Sequence, residues 1–188
     1  MNFYSNKTIL ITGGTGSIGS RIAKYLHKNH KLKKIIIFSR DEQKHFQMQK
    51  DFNHENVRYL IGDIRDYRRL DMALNGVDFV IHAAAQKHVE ISEYNPQECI
   101  KTNVNGTQNL IEACLTNKVK KCLLISTDKA VNPANIYGAS KLVAEKITLA
   151  GNSLSGKNGT IFGLVRYGNV LGSKGSISTN TKKELFYT

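Results

Sequence analysis

Residues 8–26 constrain the chain more than any other stretch. Thr8 to Thr12 (Thr-Ile-Leu-Ile-Thr) is a short apolar run of the kind that forms a strand buried on both faces. It leads directly into Gly13-Gly14-Thr15-Gly16-Ser17-Ile18-Gly19, and then into Ile22, Ala23 and Leu26 at helical spacing. Strand, glycine turn and helix in this order make a phosphate cradle. Gly13 permits a tight turn, Gly16 lets backbone amides approach a pyrophosphate, and Gly19 lets the helix pack closely on the strand. The start of the helix, at Ser17 and Ile18, presents N–H groups and a partial positive charge, with Thr15 in the same turn. The first gap between glycines is one residue wider than in the commonest dinucleotide fingerprint.

A second strand, Lys34 to Phe38, ends at Ser39-Arg40, about twenty residues beyond the turn. A hydroxyl and a guanidinium at that place suit a ribose 2′-phosphate and argue for NADP. Asp41 and Glu42 follow at once and keep NAD open, since a carboxylate suits a free 2′-hydroxyl. A helix from Asp41 to Phe52 leads to a third strand, Val57 to Ile61, closed by Gly62-Asp63-Ile64. Asp63 can accept from an adenine amino group or cap a helix starting near Asp66. The fourth strand, Val77 to His82, runs into Ala83-Ala84-Ala85-Gln86-Lys87-His88. The small side chains leave room for a flat ring, and Lys87 can reach a phosphate or a sugar hydroxyl. His82 and His88 lack a third clustered ligand, so no metal site is expected.

Pro96 to Thr116 reads as one long helix carrying Asn103. Cys122 to Ile125 is a fifth buried strand that gives way to Ser126, Thr127, Asp128 and Lys129, polar groups at a strand's carboxyl end, where open parallel sheets bind ligands. Pro133 suits the start of a helix on which Tyr137 and Lys141, four apart, share a face. An ammonium beside a phenol favours the phenolate and brings its pKa toward the range useful for proton transfer. Thr160 to Val165 is a sixth strand, followed by Arg166-Tyr167-Gly168-Asn169-Val170. Regular alternation of strands and helices predicts an α/β fold, a doubly wound parallel sheet with right-handed crossovers.

A length of 188 residues suits one domain. No apolar run is long enough to cross a bilayer and the first residues carry no secretory pattern, so a cytoplasmic protein is expected. Cys99, Cys114 and Cys122 are widely spaced and read as buried, reduced thiols. The 27 basic against 15 acidic side chains give a formal charge of +12. The lysines are scattered through helices and turns, which reads as a solvated face. No basic stripe with interleaved aromatics is present to suggest nucleic acid.

The glycine turn, Ser-Thr-Asp-Lys-Ala-Val-Asn-Pro at 126–133, Tyr-Gly-Ala-Ser-Lys at 137–141 and His-Ala-Ala-Ala-Gln-Lys-His-Val at 82–89 occur in order. In these segments the chain resembles the extended short-chain dehydrogenase/reductase superfamily, with a Rossmann-like NAD(P)-binding fold. Within it the chain is most similar to the soluble, inverting UDP-N-acetylglucosamine 4,6-dehydratases. The resemblance implies that Tyr137, assisted by Lys141 and Thr127, takes the proton of the sugar's carbon-4 hydroxyl as hydride leaves for NADP. Lys129, its pKa lowered by burial, would then remove the carbon-5 proton, and Asp128, kept partly protonated, would protonate the departing carbon-6 hydroxyl. It also implies cofactor contacts from Lys44, Ile64, Ala83, Ala84, Lys87, Tyr137 and Lys141 beside those above, substrate contacts from Lys87 and Asn169, a UDP-sugar partner and homo-oligomers; neither a membrane nor a nucleic-acid partner is expected. It extends to Ser176, giving a cofactor domain over 1–176 and a polar tail over 177–188 unlike the family's continuation. The expectation is a C-terminally truncated chain with an intact cofactor site and impaired turnover, because remote binding energy helps position a substrate.

Overall fold

The structure is a computed structural model that describes residues 3–157 and 159–168; Asn169 and the 177–188 tail lie outside them. Six strands form one parallel sheet: β1 (Thr8–Thr12), β2 (Lys34–Ser39), β3 (Val57–Ile61), β4 (Phe79–His82), β5 (Lys121–Thr127) and β6 (Ile161–Tyr167). Their spatial order is β3-β2-β1-β4-β5-β6, the doubly wound arrangement, with its switch point between β1 and β4. The helices are α1 (Ser17–Asn29), α2 (Glu42–Asp51), α3 (Tyr67–Leu74), α4 (Val89–Tyr94), α5 (Pro96–Ile100), α6 (Gly106–Thr116) and α7 (Ile136–Ser155).

Each central strand is apolar on both sides because each side meets a helix layer. Ile9, Ile11, Ile35 and Ile37 pack with Ala23 and Leu26 of α1 and Met48 of α2. Leu10, Ile36 and Phe38 point the other way, to Leu70 of α3 and Leu110, Ile111 and Cys114 of α6. The two-residue alternation of strands thus sorts one continuous run of isoleucines into two cores.

Beyond shifts of one or two residues at the ends of β2, β6 and α2, local features differ from the sequence expectation as follows. β5 extends through Ser126 and Thr127, because these pair with Arg166 and Tyr167 of β6. β4 starts at Phe79, not Val77. The long helix is interrupted by a π-helical turn, Lys101–Asn105, between α5 and α6. α7 begins at Ile136 and not at Pro133, since the Asn135 side chain accepts from the Gly138 N–H (2.8 Å) and fixes the start.

His82 is fully enclosed. The Thr107 hydroxyl donates to the Asn103 carbonyl (2.6 Å), so its oxygen accepts from His82 Nε2 (3.0 Å). His82 Nδ1 is left to accept from the Thr12 hydroxyl (2.6 Å). This arrangement suits a neutral ring, and burial with the nearby Lys141 charge pulls the imidazole down to about 3. The unfolded chain therefore binds one more proton than the folded one between pH 3 and 6.5, and stability is lost as pH falls through that window. Between pH 7 and pH 5 the His82 contribution should fall by about 2 kcal/mol in urea unfolding, and His82→Gln should remove that part of the slope. An unchanged slope in the variant would refute the assignment.

Candidate functional site

The crevice at the switch point is built from the glycine turn and the loop after β4. Gly13 has φ +63°, a left-handed conformation, and a Cβ there would lie 2.7 Å from the Ala84 nitrogen and 2.8 Å from the Ala83 carbonyl group. Backbone therefore meets backbone across β1 and β4. A Cβ on Gly19 would stand 2.4 Å from the Gly13 oxygen, so α1 packs on the turn only because that position is bare. The N-cap of α1 is Gly16, which offers no side chain to the first-turn N–H groups at Ser17, Ile18 and Gly19. These features fit a dinucleotide pyrophosphate: a cradle that a Cβ would fill and an amino-terminal turn without a side-chain cap.

At the end of β2, Ser39 joins Thr15 and His45 at 2.8 Å each through its hydroxyl. Sequence reasoning missed His45; its available signal was its place on the inward face of α2, where it is buried beside Met48. Asp41 is the N-cap of α2: it accepts from the Lys44 N–H (3.0 Å) and pairs with the Lys44 ammonium (2.6 Å). Those bonds to Lys44 hold its carboxyl below the usual range. Asp63 does not cap the helix that follows, because Asp66 caps α3. Asp63 instead receives three hydrogen bonds from Arg65 and faces Arg40 at 3.8 Å. Burial works against its charge, but Arg65 prevails and keeps the carboxyl low. Ile64 sits in the core against Gly106, so its side chain is spent on packing.

Asn103, in the π-helical turn, holds the loop after β4 in place. It accepts from the Gln86 N–H (2.8 Å), donates to the Gln86 carbonyl (2.9 Å) and to the Ser140 hydroxyl of α7 (2.9 Å). One buried amide thus ties the Ala83–Lys87 loop to α7, and Lys87 stands exposed at the end of that loop.

On the same carboxyl rim, two strands or about 10 Å from β1, β5 ends in the second constellation. Thr127 donates to Asp128 Oδ1 (3.0 Å) and accepts from the Lys129 N–H (3.3 Å), which forms a 3-10 turn over Asp128–Ala130. The Lys129 ammonium pairs with Asp128 at 3.4 Å. Tyr137, buried at the start of α7, shares a hydrogen bond with Thr127. One turn on, Lys141 Nζ donates to the Ile125 carbonyl (2.9 Å). Behind them Glu145 accepts from Ser126 (2.5 Å) and twice from Arg166 (2.9 and 2.6 Å). Burial opposes ionisation of Glu145, but Arg166 and Ser126 outweigh it and the carboxyl stays low. Tyr167, opposite Thr127 in β6, joins the cluster. Ser126, Glu145 and Arg166 were not recognised as a unit from the sequence because they meet only through the β5–β6 pairing.

The electrostatics correct three expectations. Burial, with Tyr167 and Asp128 adding to it, pushes the Tyr137 phenol up to about 12, not down. Burial pulls the neighbouring Lys141 ammonium down to about 8, with Glu145 resisting. Lys129 is not buried, since its side chain retains 39 % exposure beside Asp128. Asp128 is not poised to hold a proton: the Thr127 hydroxyl and Lys129 keep its carboxyl below the ordinary range.

A doubly wound sheet, a glycine cradle at its switch point and a Thr-Tyr-Lys cluster two strands away define a Rossmann-type protein of the extended short-chain dehydrogenase/reductase class. The chain belongs to the polysaccharide biosynthesis protein family, whose sequence profile matches residues 9–185. It is 57% identical over 180 residues to the UDP-N-acetylglucosamine 4,6-dehydratase (inverting) of Campylobacter jejuni, over 96% of this chain and 54% of that protein. The chain thus spans about half the length of the curated relatives it matches. Its structure resembles that of Pen from Bacillus thuringiensis, with a TM-score of 0.94 and 42% identity, covering all of this chain and 58% of the other. It also resembles UDP-glucose 4-epimerase from Brucella ovis in complex with NAD, with a TM-score of 0.73 and 25% identity, over 87% and 52% of the two chains. Among the described residues no helix is long and apolar enough to cross a membrane.

Proposed function

We propose that the site serves NADP-dependent 4,6-dehydration of UDP-N-acetylglucosamine, with inversion at carbon 5, in nucleotide-sugar and surface-glycan biosynthesis. The observation that carries this reading is the Thr127-Asp128-Lys129 turn packed against Tyr137, which puts three proton-handling groups on one shelf. NADP, which Gly13, Ser17 and Ala84 would hold in the crevice, would take the carbon-4 hydride and give it back at carbon 6, with a proton re-entering carbon 5 from the opposite face, so that the net change is the loss of one water. Arg40 and Ser39 support a 2′-phosphate, while Asp41 is taken up by Lys44 as the cap of α2.

In this reading Tyr137 accepts the carbon-4 hydroxyl proton. A phenol pushed up to about 12 keeps its own proton at neutral pH, so Tyr137 must pass that proton on before it can act as the base. Lys141, near 8 and one turn away, provides the positive charge that favours the phenolate once the site closes. The carbon-4 ketone acidifies carbon 5, from which Lys129 removes a proton. Asp128 gives a proton to the carbon-6 hydroxyl, which leaves as water. A sugar lying over this shelf excludes water, and desolvation raises a carboxyl, which offsets the hydrogen bonds that now keep Asp128 ionised. Lys87, on the loop held by Asn103, would contact the sugar or a phosphate, and Asn169 is proposed as a further substrate contact.

Incubation of the chain with UDP-N-acetylglucosamine and NADP, read by mass spectrometry, tests this. A product lighter by one water is expected, and Lys129→Ala should reduce it at least 100-fold with NADP binding retained. A product of unaltered mass would support a 4-epimerase instead, the activity named for the Brucella ovis structure, which needs Tyr137 but has no use for Asp128 and Lys129. NADP binding without turnover would favour a non-catalytic module.

A further inference from the structure

Seven lysines scattered along the sequence are gathered on one rim of the molecule. All strands of a parallel sheet point one way, so the residues preceding them meet on one rim, opposite the site. Lys7 precedes β1, Lys31 and Lys33 precede β2 and Lys34 opens it, while Lys118 and Lys120 precede β5 and Lys121 opens it. Backbone bonds hold these positions together: the Lys33 and Lys34 N–H groups donate to the Lys7 carbonyl (3.0 and 3.3 Å), and the Lys120 N–H to the Asp78 carbonyl (2.9 Å). From β2 to β5 this band is about 15 Å wide. Among the described residues, the only carboxylate ion-paired with any of these seven lysines is Asp78, at 2.7 Å from Lys120 and 3.9 Å from Lys7. Asp51 and Glu55 lie beyond the band, at the β3 end. The opposite rim is balanced: Asp41, Asp63, Glu98, Asp128 and Glu145 each face a lysine or arginine.

Aromatic rings stand on the lysine-rich rim. Phe3 stacks on Phe79 (4.9 Å between centroids), with the Lys121 ammonium 4.8 Å from its ring. Tyr4 packs on His30 just past the end of α1 (4.7 Å), and Tyr25 of α1 lies 6.3 Å from the same ring. Phe3 is 53% exposed and Tyr25 63%. The site is a strand's length away, about 20 Å, which is more than twice the Debye length at physiological salt, so this charge does not steer substrate.

We propose that this rim docks the protein on an anionic lipid bilayer, the lysines facing headgroup phosphates and Phe3 and Tyr25 entering the headgroup layer, with the site turned to solvent. Exposed aromatic rings beside a band of lysines match the chemistry of a membrane interface. A single-stranded nucleic acid would call instead for rings interleaved along a groove. This departs from the sequence expectation of no membrane partner and does not depend on the proposed reaction.

Sedimentation of the 188-residue chain with vesicles tests it. Binding to phosphatidylglycerol–phosphatidylcholine vesicles is expected, with none to phosphatidylcholine alone and release at raised salt. The Lys31→Gln/Lys33→Gln/Lys121→Gln variant should partition about 100-fold less well with an unchanged thermal midpoint. Arg68→Gln/Lys101→Gln/Lys146→Gln, which removes the same charge away from the rim, should bind as the parent does. Phe3→Ala should cost about tenfold. No binding by the parent chain, equal binding to neutral vesicles, equal loss in both triple variants, or tighter binding to nucleic acid at matched salt would each overturn the proposal.

Discussion

Replacing Arg166 with methionine should lower stability at neutral pH by clearly more than an ordinary surface substitution does, read by urea unfolding. The Glu145 side chain is only 4% exposed and relies on Arg166 and Ser126 to stay charged. Removing the guanidinium leaves the enclosed carboxylate with only the Ser126 hydroxyl and the Lys141 charge, whereas removing both partners leaves no carboxylate to hold. Glu145→Gln/Arg166→Met should therefore recover most of the loss, and additive losses would refute the coupling. The pH dependence has a definite sign. Because its bonds depress the folded pKa of Glu145, the pair's stabilisation is present above the unfolded carboxylate range and lost as pH falls through the folded value. The gap between parent and Arg166→Met should accordingly narrow toward pH 4. A gap that widens there would contradict the assignment.

Gly138→Ala should cost about 3 kcal/mol and disable the site together with the fold. A Cβ at 138 would lie 2.2 Å from the Lys129 carbonyl oxygen and 3.0 Å from the Pro133 side chain. No rotamer change relieves a clash with backbone, so either α7 moves back, losing the Asn135 cap, or the turn carrying Asp128 and Lys129 is displaced. Gly163→Ala is the matched control, since the nearest atom to a Cβ there is a Leu123 methyl at 4.0 Å. It should change stability by about 0.5 kcal/mol or less. Comparable losses at 138 and 163 would show that the close approach is not what the glycine serves.

The contrast between these residues shows what the sequence could reveal. β1 and β3 match their expected bounds because apolar runs with abrupt polar ends are local signals. The cradle was legible for the same reason: Gly13, Gly16 and Gly19 follow one another within a single turn. β5 was read as stopping at Ile125 because Ser126 and Thr127 are polar, yet pairing with Arg166 and Tyr167 carries the strand on. That partner lies some forty residues away and cannot be sensed from β5 alone. The π-helical turn was hidden too, since its purpose, aiming Asn103 at Gln86 and Ser140, exists only after three elements have met. The electrostatics were least legible. Residue type placed Asp128, Lys129, Tyr137 and Lys141 in one cluster, but solvent decides their proton affinities, and which of them stays wet is a property of the folded surface. The lysines give the same lesson in reverse, scattered in the sequence and gathered by strand direction.

The strand order β3-β2-β1-β4-β5-β6 also sets a schedule for assembly. The first 61 residues already contain three neighbouring strands and both helices that cover one side of them, so this half can form from contacts close in the chain. The other half waits: Thr127 gains its neighbour, and Glu145 its counter-ion, only when Arg166 and Tyr167 have emerged from the ribosome. A nascent chain would thus be able to grip a nucleotide well before it could move a proton.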